Sequence, residues 1–472
     1  MYAPLGRVLK TAYERLKQQN RREIIMPEQE SCVSGSIKLG MPKIKKSAPI
    51  SKYPLSSTQT GIFFLSQMNH SGLALELCYQ LILRGIPDDA ALEKALYALE
   101  ERHPVLKTRF VLDEGKAWQY IVSNQKLNIS YYNFLHLTSI ERDSKLKQII
   151  QTELEQSFQI FDSPLVHYCL IRYAADRTII LLKVHHLITD GFSFEILHRH
   201  FAEFYNQYHK GGTLISSDES TYSDYVCWEN ELTDTKYYQE SKSFWEKTVK
   251  PKCDPLELAS DFPRPYPRQY TGSIFEQQLD QTSKKQLIHL GIQRSVSLAT
   301  VLLTALAIVL YKHSGQNDFY IGVVVNGRSN LPQLRNIVGV FSKILPIRLT
   351  FDSNMKIGDL LQYVNMQLTE SLDHQLYPTH EIINMNSNQK SADFAPLYRV
   401  LFNMQQTEKT EIDWDGLKEE QWSKLDANSS MYDLAVHVFD NNECLKLKIE
   451  YCTALFTEVT VCLLYTSDAA DD

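Results

Sequence analysis

Val184-His185-His186-Leu187-Ile188-Thr189-Asp190-Gly191 is the stretch whose reading decides the fold. The apolar run Ile179-Ile180-Leu181-Leu182-Lys183-Val184 leads into it and reads as a buried strand. Phe194, Leu197, Phe201, Tyr205 and Tyr208 follow at helical spacing, so the unit is strand, tight loop, helix. A loop at a strand's end holds its side chains rigidly while letting them face a cavity. Neighbours on an extended segment point to opposite sides, so one histidine faces the cavity and the other anchors in the core. Asp190 is acceptor-only when ionised and needs a cationic or donor partner if buried. Gly191 lets the backbone turn without a Cβ clash.

The totals set the frame. A chain of 472 residues exceeds one usual core, so two or three domains or lobes are expected. A net charge of -7 argues against nucleic acid as the main partner. The 8 cysteines form no CxxC pair, which fits a reducing cytoplasm and neither a disulfide framework nor a zinc site. No secretory signal is visible. The longest apolar stretch, Leu298 to Tyr311, is shorter than the roughly 20 residues that span a bilayer, and reads as a helix buried on most sides. No membrane partner is expected.

Residues 1–49 divide into an amphipathic helix (Leu5, Val8, Leu9, Ala12, Tyr13, Leu16) and a Ser-, Lys- and Pro-containing linker. Tyr53-Pro54-Leu55-Ser56-Ser57-Thr58-Gln59-Thr60-Gly61-Ile62 then starts the folded part, with Ser56 or Ser57 as a helix cap. Asp88 or Asp89 caps a helix that turns Leu92, Leu96 and Leu99 inward and stops at Pro104, within Glu101-Arg102-His103-Pro104-Val105-Leu106-Lys107-Thr108-Arg109-Phe110. Hairpins are predicted around Asp113-Glu114-Gly115-Lys116 and around Ala174-Ala175-Asp176-Arg177. Further stretches stand out: Tyr222-Ser223-Asp224-Tyr225-Val226-Cys227-Trp228, Asp261-Phe262-Pro263-Arg264-Pro265, and a strand Phe319–Val325 ending in Asn326-Gly327-Arg328. Val338-Gly339-Val340-Phe341-Ser342-Lys343, His374-Gln375-Leu376-Tyr377-Pro378 and Leu397–Met404 follow.

In this order the motifs resemble those of the condensation domains of nonribosomal peptide synthetases, with His185–Gly191 matching the HHxxxDG acyltransferase signature. The resemblance covers about residues 50–460. It implies an α/β fold of two chloramphenicol-acetyltransferase-like lobes forming a V, with the signature histidines in a central tunnel. The expected division is an N-terminal lobe at 50–218 and a C-terminal lobe at 219–461. Residues 462–472 break the family pattern and read as a non-native tail, the translation of a sequencing-adapter fragment; a genuine acidic tail is the alternative. On the first view the natural chain continues into downstream domains.

The implied reaction joins a carrier-bound acyl or peptidyl thioester to a carrier-bound aminoacyl acceptor. His186 is the central residue, as base, as amine-positioning group or as hydrogen-bond donor to the oxyanion. His185 packs and orients the loop, and Gly191 keeps the tunnel clear beside His186. Asp190 makes a structural ion pair, with Arg328 as first choice of partner and Arg102 as second. Ser342 and Asn403 are candidates to line the tunnel. The family's usual Val-Asn is Ser342-Lys343 here, and a lysine facing the tunnel would change its polarity. No intrinsic cofactor or metal is expected; the phosphopantetheine arms belong to upstream and downstream peptidyl carrier domains, with an adenylation domain in the same assembly and this domain a monomer. The alternatives are a freestanding acyltransferase that forms an ester or amide with a soluble acceptor, and a non-catalytic domain that recruits other enzymes.

Overall fold

A computed structural model describes residues 44–46, 52–67, 75–213, 219–250, 253–328, 331–352, 354–386, 397–406, 412–441 and 443–466. The helix expected within 1–20 lies outside the described residues. Seven strands come from the first half: β1 (Tyr53–Pro54), β2 (Glu76–Arg84), β3 (Thr108–Asp113), β4 (Lys116–Ile121), β5 (Ile129–Asn133), β6 (Val166–Ala174) and β7 (Arg177–His185). The second half supplies β8 (Gly272–Leu279), β9 (Asp318–Val325), β10 (Lys343–Thr350), β11 (Val400–Gln406), β12 (Lys418–Leu425), β13 (Leu434–Asp440) and β14 (Leu445–Cys452). They form a five-stranded sheet ordered β12-β2-β7-β6-β5, a six-stranded sheet ordered β10-β9-β11-β13-β14-β8, and a small sheet ordered β1-β4-β3.

β7 is apolar on both faces because helices cover both. Ile180, Leu182 and Val184 meet Leu92, Leu96 and Leu99 of the helix Asp89–Arg102 and Phe194, Leu197 and Phe201 of the helix Gly191–His209. Ile179 and Leu181 point the other way, toward Cys78, Cys169 and the helix Ser139–Glu155. That helix is pinned by Glu153, which accepts from His167 Nδ1 at 3.0 Å and from Cys169 Sγ at 3.3 Å. In the second lobe the apolar stretch forms the helix Leu298–Ser314, packed against β9, β10 and the helix Ile357–Asp373 in one core. No single helix among the described residues is long and apolar enough to cross a membrane.

Two lobes are present, but the chain crosses between them more than once. The helix Tyr222–Glu231 lies past the boundary expected at 218/219, yet Tyr222, Tyr225 and Trp228 pack in the first lobe's core. Their aromatic face has its complement there, in Phe341. β12 likewise leaves the second half and pairs antiparallel with β2 as an edge of the first sheet. Trp422 on β12 stacks on His198 at 4.2 Å and lies 5.0 Å from the Tyr79 ring. His198 Nε2 also meets Glu419 at 2.9 Å, and Glu419 accepts from Trp414 Nε1 at 3.1 Å. At the C-terminal end the helix Glu458–Thr466 runs through the 461/462 boundary, with Val461 and Leu464 both in the second core.

The crossing strand is held by its antiparallel ladder with β2 and by the aromatic packing of Trp422. Trp422→Ala is therefore expected to cost about 2 kcal/mol of stability, read by chemical denaturation. An unmoved unfolding midpoint would show that Trp422 packing does not help to hold β12 on the first lobe.

Candidate active site

The loop after β7 is clamped from several sides. The His186 amide donates to Leu75 O at 2.8 Å, and the His185 amide to Leu165 O at 2.9 Å. Gln59, fully buried, donates through Nε2 to Leu187 O at 3.0 Å, and its own backbone amide donates to the Ser56 cap at 3.0 Å. A helix from the first folded motif thus holds the histidine loop by a backbone carbonyl. The motif was legible in the sequence; the role of Gln59 was not, because its partner is a main-chain atom 128 residues away.

The two histidines face opposite ways, as strand alternation requires. His185 is buried, and its Nδ1 accepts from the Leu187 amide at 3.0 Å. Burial, then the neighbouring His186 and Lys183, lower its pKa to about 3, so it is a neutral anchor. His186 is half-buried. Burial lowers its pKa below the ordinary imidazole value, and the charge of Asp190 only partly offsets this. Its Nδ1 is buried with no hydrogen-bond partner, while the backbone carbonyls of His186 and Thr189 lie close enough to act on the ring. A proton on Nδ1 turned toward those carbonyls leaves the Nε2 lone pair free.

Asp190 caps the helix Gly191–His209 and is fully buried. Arg328 grips it with two donors, Nη1 to Oδ2 at 2.7 Å and Nη2 to Oδ1 at 3.1 Å. Asp190 also accepts from the Ser193 amide (2.9 Å) and hydroxyl (2.8 Å), and from the amides of Phe341 (2.9 Å) and Ser342 (3.1 Å). Burial alone would raise its pKa, but Arg328 and these donors win and hold it at about 2. Ser193 Oγ is committed as well, contacting Gly339 O at 2.8 Å and accepting from Arg328 Nη2 at 2.9 Å. It has no free lone pair for nucleophilic work.

Two glycines make this grip possible. Gly327 has φ of 66°, and a Cβ there would stand 2.1 Å from Phe341 O. At Gly339 a Cβ would stand 2.1 Å from the Tyr222 ring. Gly191 is different: its φ is unremarkable, and a Cβ would meet only the Gln405 amide nitrogen, at 3.8 Å. The turn therefore does not demand glycine there; its absence of a side chain keeps space open toward Gln405.

Other expected residues fall elsewhere. Arg102 pairs with Glu219, far from Asp190, because the corner after its helix turns it outward. Ser342, half-buried, donates its hydroxyl to Asp190 at 3.2 Å and so takes part in the clamp. Asn403 on β11 approaches His437 Nδ1 at 3.2 Å and keeps its place on the polar face of the second sheet. Lys343 does not face a passage at all. It is buried against Glu229 at 3.0 Å, and Glu229 also accepts from the Ser57 amide and hydroxyl, each at 2.7 Å, and from Tyr225 OH at 2.9 Å. Burial would raise the Glu229 pKa, but Lys343 and Ser57 reverse the direction. The acid directly after Trp228 was the available signal: a carboxylate on a buried aromatic helix needs a cation.

A family model described as "Condensation domain" matches residues 50–465. Surfactin synthase subunit 2 of Bacillus subtilis (strain 168) is 27% identical over 409 residues, covering 87% of this chain but 11% of that protein. The chain thus spans about a tenth of that relative's length. Among solved structures, a complex of the X-domain and OxyB from teicoplanin biosynthesis matches with a TM-score of 0.81 and 20% identity, over 90% of this chain and 93% of that one. A four domain nonribosomal peptide synthetase bound to AMP and glycine matches with a TM-score of 0.74 and 19% identity, over 88% of this chain and 32% of that one.

Two expected outcomes follow from the site. In a histidine-selective NMR titration the His186 midpoint falls below ~6.5; a midpoint above that would contradict the field described. Lys343→Asn, which leaves Glu229 buried and unpaired, destabilises by about 3 kcal/mol. Adding Glu229→Gln recovers at least half of that loss in urea denaturation, and no recovery would mean that the pair is not coupled.

Proposed function

The chain belongs to the condensation-domain family, whose two chloramphenicol-acetyltransferase-like lobes are the two αβ lobes described above, and on that premise we propose that it forms amide bonds in nonribosomal peptide synthesis. A donor acyl or peptidyl group enters as a thioester on one carrier domain, and an aminoacyl acceptor enters on another. The acceptor nitrogen attacks the thioester carbonyl, the C–N bond forms, the C–S bond breaks, and the donor's pantetheine thiol leaves. No covalent enzyme intermediate is required.

The observation that carries this reading is the setting of His186. Its side chain is half-buried, its pKa is held below the ordinary imidazole value by burial, and no hydrogen bond engages its buried Nδ1, on a loop whose backbone is tied at Leu75, Leu165 and Leu187. Such a group receives the proton that the attacking amine sheds, an effect typically worth about 10²–10⁴-fold. Holding two tethered substrates end to end supplies up to about 7–11 kcal/mol more in well-oriented cases. The carriers and an adenylation domain are the partners this reading requires, and the arms they bring are substrates' handles, not part of this chain.

The fold likeness to an X-domain in complex with OxyB supports a second reading, a domain that recruits another protein. The intact His186, Asp190 and Gly191, with His186 free of structural duty, favour catalysis. His186→Ala is expected to lower condensation between loaded carriers by two or more orders of magnitude while leaving the unfolding midpoint within error. Near-normal turnover by that variant would favour the recruitment reading.

A further inference from the structure

Another histidine of the first lobe sits between a hydroxyl and a carboxylate. His167 on β6 donates through Nδ1 to Glu153 Oε2 at 3.0 Å, and its Nε2 lies 3.1 Å from Ser130 Oγ on β5. The other oxygen of Glu153 accepts from Cys169 Sγ at 3.3 Å. Burial would raise the Glu153 pKa, but the bonds from His167 and Cys169 reverse the direction. An ionised carboxylate on Nδ1 keeps the proton there, so Nε2 offers its lone pair to the Ser130 hydroxyl.

Strand register explains the meeting. Ser130 stands opposite Cys169 in the parallel pair of β5 and β6, and His167 shares that face of β6. The helix Ser139–Glu155 lies over the same face and lowers Glu153 onto it. A strand, its neighbour and a helix therefore hold the three groups, and regular elements fix such geometry better than loops.

Two features suit this chain of bonds to chemistry. Glu153 is buried, whereas His167 and Ser130 are only half-buried, so the reacting end is the open one. β5 is also the outer strand of its sheet. Asn128 O and Phe134 N both bond to β6, so the alternate peptide groups of Ile129, Tyr131 and Asn133 turn outward. The Tyr131 amide, directly after the serine, has no hydrogen-bond partner among the described residues and can donate to an oxygen that gains charge beside Ser130.

We propose that Ser130 and His167, positioned by Glu153, form a second catalytic centre that hydrolyses short apolar acyl esters and thioesters. Leu146, Ile149 and Ile150 of the covering helix give the acyl chain an apolar wall. The proposal does not rest on the condensation reading. Ser130 Oγ attacks the acyl carbonyl as its proton passes to His167 Nε2. The C–O or C–S bond breaks, the departing alcohol or thiol takes that proton, and an acyl-serine ester remains. Water then attacks the ester while His167 accepts its proton. The carboxylic acid leaves, and the proton returns to Ser130.

The full chain is treated with a fluorophosphonate and mapped by peptide mass, then assayed with p-nitrophenyl butyrate and S-butyryl-N-acetylcysteamine. The label is expected on Ser130. Ser130→Ala is expected to lose it and to lower both hydrolyses about a hundredfold or more. Glu153→Gln lowers kcat about tenfold or more with KM within about threefold, which a purely structural role would not do. A label on another residue, or on none, overturns the proposal, as does hydrolysis that survives in Ser130→Ala. Survival there combined with loss in His186→Ala would place the hydrolysis at the histidine loop instead. Labelling of the wild type needs no variant, so it decides the matter even where a substitution disturbs the fold.

Discussion

The buried pair between Asp190 and Arg328 organises this molecule. Its carboxylate has no contact with water and accepts from a guanidinium, two hydroxyls and three backbone amides. Two of those amides and the guanidinium come from the second half of the chain, while the carboxylate caps a helix of the first. A buried pair of this kind gains little net stability over a hydrophobic replacement. What it supplies is register. The helix start, the strand end and the Phe341-Ser342 turn have one mutual arrangement in which every donor is used. The Arg328 guanidinium also lies 4.2 Å from the Phe341 ring centre and 4.9 Å from that of Phe192, so its face is packed as well as its edge bonded. His186, four residues upstream, inherits its position from that arrangement.

A second tie lies beside the first. Consecutive residues at the start of β10 point to opposite sides, Ser342 to Asp190 and Lys343 to Glu229. The departure from the family's usual residues is thus matched inside the chain. An acid on the helix Tyr222–Glu231 receives the lysine. Ser57, at the start of the helix that carries Gln59, bonds the same acid. The network therefore joins the first folded motif, the aromatic helix and the second lobe's sheet without exposing charge.

Much of this was legible in the sequence. Alternation along Ile179–Val184 placed the histidines on opposite faces, and local signals placed the hairpins and narrowed one helix cap to Asp88 or Asp89, of which Asp88 is the cap. The motif order of the family the chain resembles put Arg328 first and Arg102 second among the partners of Asp190. What was hidden depends on long-range geometry. Arg102 and Arg328 are the same residue type, and only the fold decides which one turns inward. Lys343 read as a polar intruder because its counter-ion lies 114 residues earlier. That the chain crosses between the cores was hidden because aromatic residues on Tyr222–Glu231 and on β12 look equally at home in either core. The cost of burying them is the same in both; the available complementary surface is not.

β12 carries a consequence for how the chain assembles. The first sheet is completed by a strand that lies more than two hundred residues after β7. Until residues 418–425 arrive, β2 presents an open edge of unpaired amides and carbonyls, rich in leucine and isoleucine, of the sort that templates intermolecular pairing. Closing so long a loop is entropically costly and slow relative to local hairpin formation. During synthesis the first lobe therefore emerges with its edge uncovered and is sealed only after most of the second lobe has been made. The lobes are consequently poor candidates for separate expression or for exchange at the midpoint of the sequence, and recombination between related chains preserves folding best when β2 and β12 travel together.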